Sequence, residues 1–356
     1  MNNIERIRGK LPEYKLDAML VTDRACRLFA TGFSASAGAL LVTERGAWFF
    51  TDSRYFEAAS AAVKDAEVHL TTPEVSYYDH VIKIIGDRNA CTIGFEDNTT
   101  TFAGLQSWKK KLKGKASFVP AQKLIDALRD VKSRDDLKML IKAQRLAEKV
   151  WDEILPLINT DMTEKDLAAE IIYRALKNGA DNVSFPPIVV SGKNSSRPHG
   201  VPGSKKIGKG FLTIDFGVLL NGWCSDTTRT LCIGKPDAEM VRVYDTVLSA
   251  QEAGIKKIHG GVKAVAVDKA ARTVIEKAGY GEYFGHGFGH SLGFEVHESL
   301  KASQISKDIL PVGAVMSAEP GIYLPGRYGV RIEDVVYVTE DGCENITKLP
   351  KSLLVL

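Results

Sequence analysis

The segment 211–234, FLTIDFGVLLNGWCSDTTRTLCIG, decides how the rest of this chain is read. Asn221-Gly222 lies at its centre, and an Asn-Gly pair between two strand-like runs supplies the two positive φ angles of a type I′ hairpin turn. With those two residues as the turn, cross-strand partners sum to 443, so Asp215 faces Thr228 and Asp226 faces Gly217. The two aspartates then share one face, diagonally offset by roughly 7 to 8 Å at Cα, a gap that two carboxylates span by gripping metal ions. Asp215 stands among Leu212, Ile214 and Phe216, where a carboxylate without a partner is costly. An acid placed there calls for a cation.

A second segment, SAEPGIYLPGRYGVRIEDVVYV (317–338), repeats the pattern. It turns around Pro325-Gly326, and Glu319 and Glu333 are equidistant from Gly326, so a hairpin brings them opposite each other. Arg331, two residues before Glu333, is placed to orient a carboxylate through paired hydrogen bonds, with a structural ion pair as the plainer reading. Between the two hairpins, FGHGFGHSLGFEVHE (284–298) sets three of the seven histidines, His286, His290 and His297, among glycines. Imidazole offers a metal ligand or a proton near neutral pH, and glycine permits close approach. Asp215, Asp226, His290, Glu319 and Glu333 together form an oxygen-rich donor set with one nitrogen, suited to two divalent cations such as Mn, Co or Zn. The residues alone point to a two-metal hydrolase.

A chain of 356 residues exceeds the usual single core and predicts two domains. Hydrophobic content of 44% and charged content of 26% describe an ordinary globular protein. The net charge of +3 gives no footprint for nucleic acid or an anionic membrane, so neither is expected as a partner. The run Lys109, Lys110, Lys111, Lys113 and Lys115 reads as a solvated helix end. No apolar signal core follows the first charges, and no run of roughly 18 apolar residues occurs, so a cytoplasmic location is expected. Five scattered cysteines without a CxxC pair read as reduced thiols. Cys224, two residues before Asp226, shares its face on a regular strand; plain packing is the simpler account.

In chain order, DAMLVT (17–22), GALLVT (38–43) and AWFFTD (47–52) are strand-length apolar runs, the last two joined by a turn at Glu44-Arg45-Gly46. RYFEAASAAV and YYDHVIKII have helical spacing, EVHL and TIGFED read as strands, and the whole forms a small α/β layer. A boundary follows near Asp130. Ser133 with Asp136, and Thr163 with Asp166, are the N-termini of two helices, the first running through Ile154 and the second to Gly179. The Pro- and Gly-rich stretch 182–203 holds a short strand at Ile188–Val190 and otherwise a loop that delivers His199. Val243–His259 and Val262–Ala278 are predicted as two further helices, with His259 facing solvent or the helix dipole.

With these residues placed, the chain resembles the pita-bread metallopeptidases: methionine aminopeptidase, aminopeptidase P and prolidase. IDFG carries Asp215, SDTTRT carries Asp226, GHGFGHSLGFEVHE carries His290, SAEPG carries Glu319 and VRIED carries Glu333. The N-terminal part, with YKLDAMLVTDRACRLFATGFSASAGALLVT and WFFTDSRY, is similar to the creatinase-type domain of the proline-specific members. The resemblance implies an α/β (α+β) chain: a creatinase-like α/β domain over 1–130, then a pita-bread catalytic domain over 131–356 with a curved, mainly antiparallel sheet and flanking helices.

It also implies two divalent ions per subunit, a homodimer, and a peptide substrate with proline in second position. Asp215 would hold one ion, His290 and Glu319 the other, and Asp226 and Glu333 both; a water acidified between them would attack the Xaa-Pro carbonyl. Glu319 would act as general base, His199 and His297 would hydrogen-bond the carbonyl oxygen, and His286 would line the proline pocket. The implied activity is Xaa-Pro aminopeptidase, with Xaa-Pro dipeptidase (prolidase) as the alternative and a non-catalytic adaptor or a methionine aminopeptidase as remoter ones. Ser317 stands where relatives more often carry Thr or a β-branched residue, and it is expected not to touch the ligand set.

Overall fold

The computed structural model describes residues 2–86 and 91–356. It divides into two units, Met1–Arg129 and Asp130–Leu356. In the first, strands β1 (Ala18–Val21), β2 (Ala39–Thr43), β3 (Ala47–Thr51), β4 (Glu67–Leu70), β5 (Cys91–Phe95) and β6 (Ala116–Pro120) make one mixed sheet in the order β4-β3-β2-β1-β5-β6. The expected β2–β3 hairpin is present. Helices α1 (Asn3–Lys10), α2 (Arg24–Thr31), α3 (Phe56–Ala62), α4 (Tyr77–Ile85), α5 (Phe102–Lys111) and α6 (Gln122–Asp130) accompany it. Lys109, Lys110 and Lys111 of the lysine run close the last turn of α5, where cations suit the helix dipole, and Lys113 and Lys115 lie beyond it.

The second unit begins with α7 (Arg134–Ile154) and α8 (Glu164–Lys177), both opened by capping boxes, Ser133 with Asp136 and Thr163 with Asp166. Strands β7 (Asn182–Val183), β8 (Ile188–Ser191), β9 (Gly210–Phe216), β10 (Val218–Leu220), β11 (Trp223–Cys224) and β12 (Thr227–Ile233) follow. Asn221 and Gly222 take φ of 51° and 81°, as an Asn-Gly type I′ turn requires. The register follows: Leu220 pairs with Trp223, and Asp215 with Thr228. Asp226, expected opposite Gly217 on a regular strand, instead lies between β11 and β12, where the ladder is interrupted. A Cβ on Gly217 would come 1.8 Å from the Ser225 carbonyl oxygen, so the two backbones cross too closely there for any other residue.

Helices α9 (Ala238–Lys257) and α10 (Ala264–Lys277) come next. The first starts five residues earlier than the apolar spacing suggests, because Asp237 caps it by accepting from the Met240 N–H. Short strands β13 (Gly289–His290), β14 (Lys301–Ala302), β15 (Val315–Ala318), β16 (Gly321–Leu324), β17 (Tyr328–Arg331), β18 (Asp334–Val338) and β19 (Cys343–Asn345) complete the unit. All pairs between these named strands of the unit are antiparallel. One apolar core joins α7 and α8 to β8, β9 and β12 through residues such as Val150, Ile171, Leu212 and Ile214. Another joins α9 and α10 to the strands of the second hairpin through Val247, Ala271, Met316 and Val336. Each helix pair therefore backs one acidic hairpin. All five cysteines are free. No helix among the described residues is long and apolar enough to cross a membrane.

Candidate metal centre

Four buried or nearly buried acids converge where the two hairpins meet. Asp215 is at the end of β9, Asp226 precedes β12, Glu319 follows β15 and Glu333 precedes β18. Donor atoms of Asp226, His290 and Glu333 lie within 4.8 Å of one another. His290 Nε2 is 3.1 Å from Glu319 Oε1 and 3.7 Å from Asp226 Oδ2. All five residues line one cavity of about 720 Å³, together with His199, His286, His297 and Arg331. Every site residue singled out in the sequence is thus brought to one place.

The electrostatics are those of an anionic hole. Burial, and then the neighbouring charge of Asp215, push the Asp226 carboxyl well above the usual carboxylate range. Burial and then Asp226 do the same to Glu333. Asp215 is raised by burial despite Arg331. Burial would also raise Glu319, but the hydrogen bond and charge of His290 hold it below the ordinary value, and the same contact holds His290 up against its own burial.

Among the described residues, Asp215 Oδ1 and Glu333 Oε1 are buried with no hydrogen-bond donor. Orphaned carboxylate oxygens in a low-dielectric interior are expensive, and a divalent cation removes that cost. The donor set fits divalent ions.

Neighbouring side chains fix the remaining oxygens. Arg331 Nη2 donates to Asp215 Oδ2 at 2.6 Å, Nη1 to the Tyr323 hydroxyl and the Pro198 carbonyl, and Nε to Thr228 Oγ1. The carboxylate it orients is that of Asp215, in the other hairpin. Thr228 Oγ1 in turn donates to Glu333 Oε2 at 2.8 Å. His290 Nδ1 donates to the Ser291 carbonyl at 3.3 Å, which leaves Nε2 facing the acids; a main-chain oxygen is a partner that no residue pattern announces.

Ser317 corrects its expectation. Its Oγ accepts from the His290 N–H at 2.9 Å and donates to Glu319 Oε1 at 3.1 Å. The two-residue period of β15 puts Ser317 on the face of Glu319, a signal the sequence did offer.

His297 stands edge-on to His290, with ring centroids 4.3 Å apart; burial and the His290 charge lower its pKa. His286 lines the cavity, but Nδ1 contacts the Gly287 carbonyl and Nε2 accepts from Tyr323, so both nitrogens are engaged. Tyr323 is the residue the sequence reading missed. Two- and four-residue steps from Glu319 along a strand reach Gly321 and Tyr323, and that spacing alone placed its hydroxyl on the acidic face. Cys224 is a packing residue: its buried thiol contacts the Phe294 carbonyl, and burial pushes it up to about 12.

A small α/β unit followed by an antiparallel unit with this carboxylate–histidine centre defines a two-domain metal-dependent hydrolase. The profile of metallopeptidase family M24 matches residues 138–340, and that of the creatinase/prolidase N-terminal domain matches residues 3–131. The chain belongs to metallopeptidase family M24, and its second unit is the pita-bread domain of that family. An Xaa-Pro dipeptidase from Bacillus anthracis superposes with a TM-score of 0.93 at 36% identity, over 99% of both chains. An X-Pro aminopeptidase from Thermotoga maritima gives 0.92 at 34%, over 100% of both. In sequence, an Xaa-Pro dipeptidase from Pyrococcus furiosus is 31% identical over 99% of each chain.

Proposed function

We propose that this protein removes an N-terminal residue that precedes proline, as an Xaa-Pro aminopeptidase. The observation that carries the hydrolytic reading is the pair of donorless, buried carboxylate oxygens on Asp215 and Glu333. Asp215, Asp226, His290, Glu319 and Glu333 would hold two divalent ions, Mn, Co or Zn. Bound ions supply Lewis acidity and a water acidified to neutral pH.

The side chains perform the rest. Glu319 has its Oε1 occupied by Ser317 and His290, so Oε2 takes the proton of the attacking water. His199 and His297 donate N–H to the scissile carbonyl oxygen as negative charge develops on it. Arg331 favours the ionised form of Asp215 against its burial and aims its carboxylate. A prolyl amide has no N–H to recognise, so selectivity falls to the ring; Phe185, Pro186, Ile188, Pro198, Val201 and Val296 give the cavity an apolar wall suited to it. The similarity to the Thermotoga X-Pro aminopeptidase supports the same substrate class.

A second reading, Xaa-Pro dipeptidase, is favoured by Lys301. It is exposed, pairs in register with His290 across β13 and β14, and lines the cavity, so its ammonium would meet the free carboxylate of a dipeptide.

The test is a paired assay of the Mn- or Co-loaded protein on an Xaa-Pro dipeptide and an Xaa-Pro-Xaa tripeptide, with Asp226→Asn as control. Tripeptide cleavage establishes the aminopeptidase; cleavage of the dipeptide alone establishes the second reading. Where the dipeptide is cleaved, Lys301→Met raises its KM. Silence on both substrates with metal bound ends the proline reading. The assembly proposed is a homodimer, and light scattering checks it.

A further inference from the structure

Glu164 opens α8 and is only 3% exposed, yet among the described residues no cationic side chain bonds its carboxylate. Its oxygens are used up on one loop. Oε1 accepts from the Ser191 N–H at 2.6 Å and the Ser191 hydroxyl at 3.0 Å. Oε2 accepts from Asn194 Nδ2 at 2.8 Å and the Gly203 N–H at 2.8 Å. The main chain adds two more links, Glu164 N–H to the Lys205 carbonyl and Lys165 N–H to the Gly203 carbonyl. One carboxylate therefore closes both ends of the segment 191–203.

What lies between those ends is part of the cavity: Pro198, His199, Gly200, Val201 and Pro202. Packing holds this apex only at Gly200, which is buried against Val190; His199 is exposed and Val201 is 78% exposed. Ser195, which receives the Gly329 N–H, and Pro198, which receives Arg331, tether its middle to the second hairpin. A glutamate that serves only the helix dipole has no need of burial. A buried carboxylate whose every partner is an N–H or O–H of one loop or of its flank is a latch on that loop.

We propose that Glu164 is a positioning residue: its carboxylate latches the ends of the 191–203 loop and so sets His199 and the Pro198–Pro202 wall against the metal centre. The inference rests on the role given to His199 above, and its test separates the two. Glu164→Ala, His199→Ala and the double variant are compared with wild type, all Mn-loaded, for kcat and KM, Mn affinity, and tryptic cleavage after the exposed Lys193 and Lys205. Glu164→Gln is the milder variant, in which an amide keeps the Ser191 contacts and faces the Asn194 and Gly203 donors with donors of its own.

Glu164→Ala is expected to speed cleavage of the loop, lower kcat on the order of tenfold to a hundredfold, and leave Mn affinity unchanged. The double variant is expected to be no worse than the poorer single one, because both act through one group. Glu164→Gln falls between wild type and Glu164→Ala. An unchanged cleavage rate, multiplying kcat losses, or loss of Mn binding overturns the latch as stated. Faster cleavage beside a His199→Ala variant of undiminished kcat supports the latch and removes His199 from the proposed chemistry.

Discussion

The two acidic hairpins are built alike and work differently. Each keeps one register across an interruption. Phe216–Thr227 and Leu219–Cys224 belong to one alignment, as do Ala318–Asp334 and Gly321–Arg331 in the other. In both, acids sit at or beside the break, where the ladder does not hold the backbone and a carboxylate can turn inward. The difference is in who holds whom. Asp215, in the first hairpin, is gripped by Arg331 of the second; Glu333, in the second, receives its hydrogen bond from Thr228 of the first. Glu319 is held from within its own hairpin by Ser317, but Asp215 and Glu333 are braced across the pair, so the centre is complete only when the two are docked.

The severest way to break the comparison is to remove an acid. Glu333→Gln is expected to lower kcat/KM by roughly a thousandfold or more, equivalent to about 4 kcal/mol of transition-state stabilisation. In EDTA the same variant should melt higher than wild type, because burial first and then the neighbouring acids raise the Asp226 and Glu333 carboxyls, and a neutral amide avoids both costs. Differential scanning calorimetry with and without Mn checks both signs.

Next comes the cross-brace. Arg331→Met leaves Asp215 Oδ2 without its donor and should weaken Mn binding about 10- to 100-fold by titration calorimetry, and Arg331→Lys should not rescue it. Thr228→Val tests the reciprocal brace and should cost less, roughly tenfold, because a hydroxyl donor is replaced where no charge pairs. Equal losses would erase the asymmetry between the hairpins.

A backbone test follows. Gly217→Ala should destabilise the fold by about 1 to 3 kcal/mol in urea unfolding, since its Cβ has no room beside Ser225. The smallest expected effect is at Ser317. Ser317→Ala should reduce Mn affinity by roughly tenfold at most, and Ser317→Thr, which keeps the hydroxyl, should restore it.

Much of this architecture was legible in the residues. The turn at Asn221-Gly222 fixed a register to the residue, since a type I′ turn leaves no freedom of alignment. The second hairpin followed from symmetry about Gly326, and the burial of Asp215 from its apolar neighbours Leu212, Ile214 and Phe216. What escaped the reading is of two kinds. Residues that act through long-range contacts, such as Glu164 with Gly203 or Arg331 with Asp215, have partners 39 and 116 positions away that no local pattern names. Residues of ordinary type, such as Tyr323 and Ser317, are marked only by their two- and four-residue steps from Glu319 and otherwise look like strand filler. The α9 start was missed because apolar periodicity reports the buried face, while the polar first turn is announced only by the cap at Asp237.

The docking of Thr228 on Glu333 joins positions 105 residues apart. Residues 211–234 can close their turn as soon as they are made, which assembles two aspartates cheaply and early. The histidine and then the two glutamates follow, the set being complete only after about another hundred residues, and with them come the long-range closures that slow folding. On the ligand set proposed above, affinity for metal is therefore a property of the finished chain: the aspartates alone offer two of its five donor residues, and the choice between one metal and another is made last.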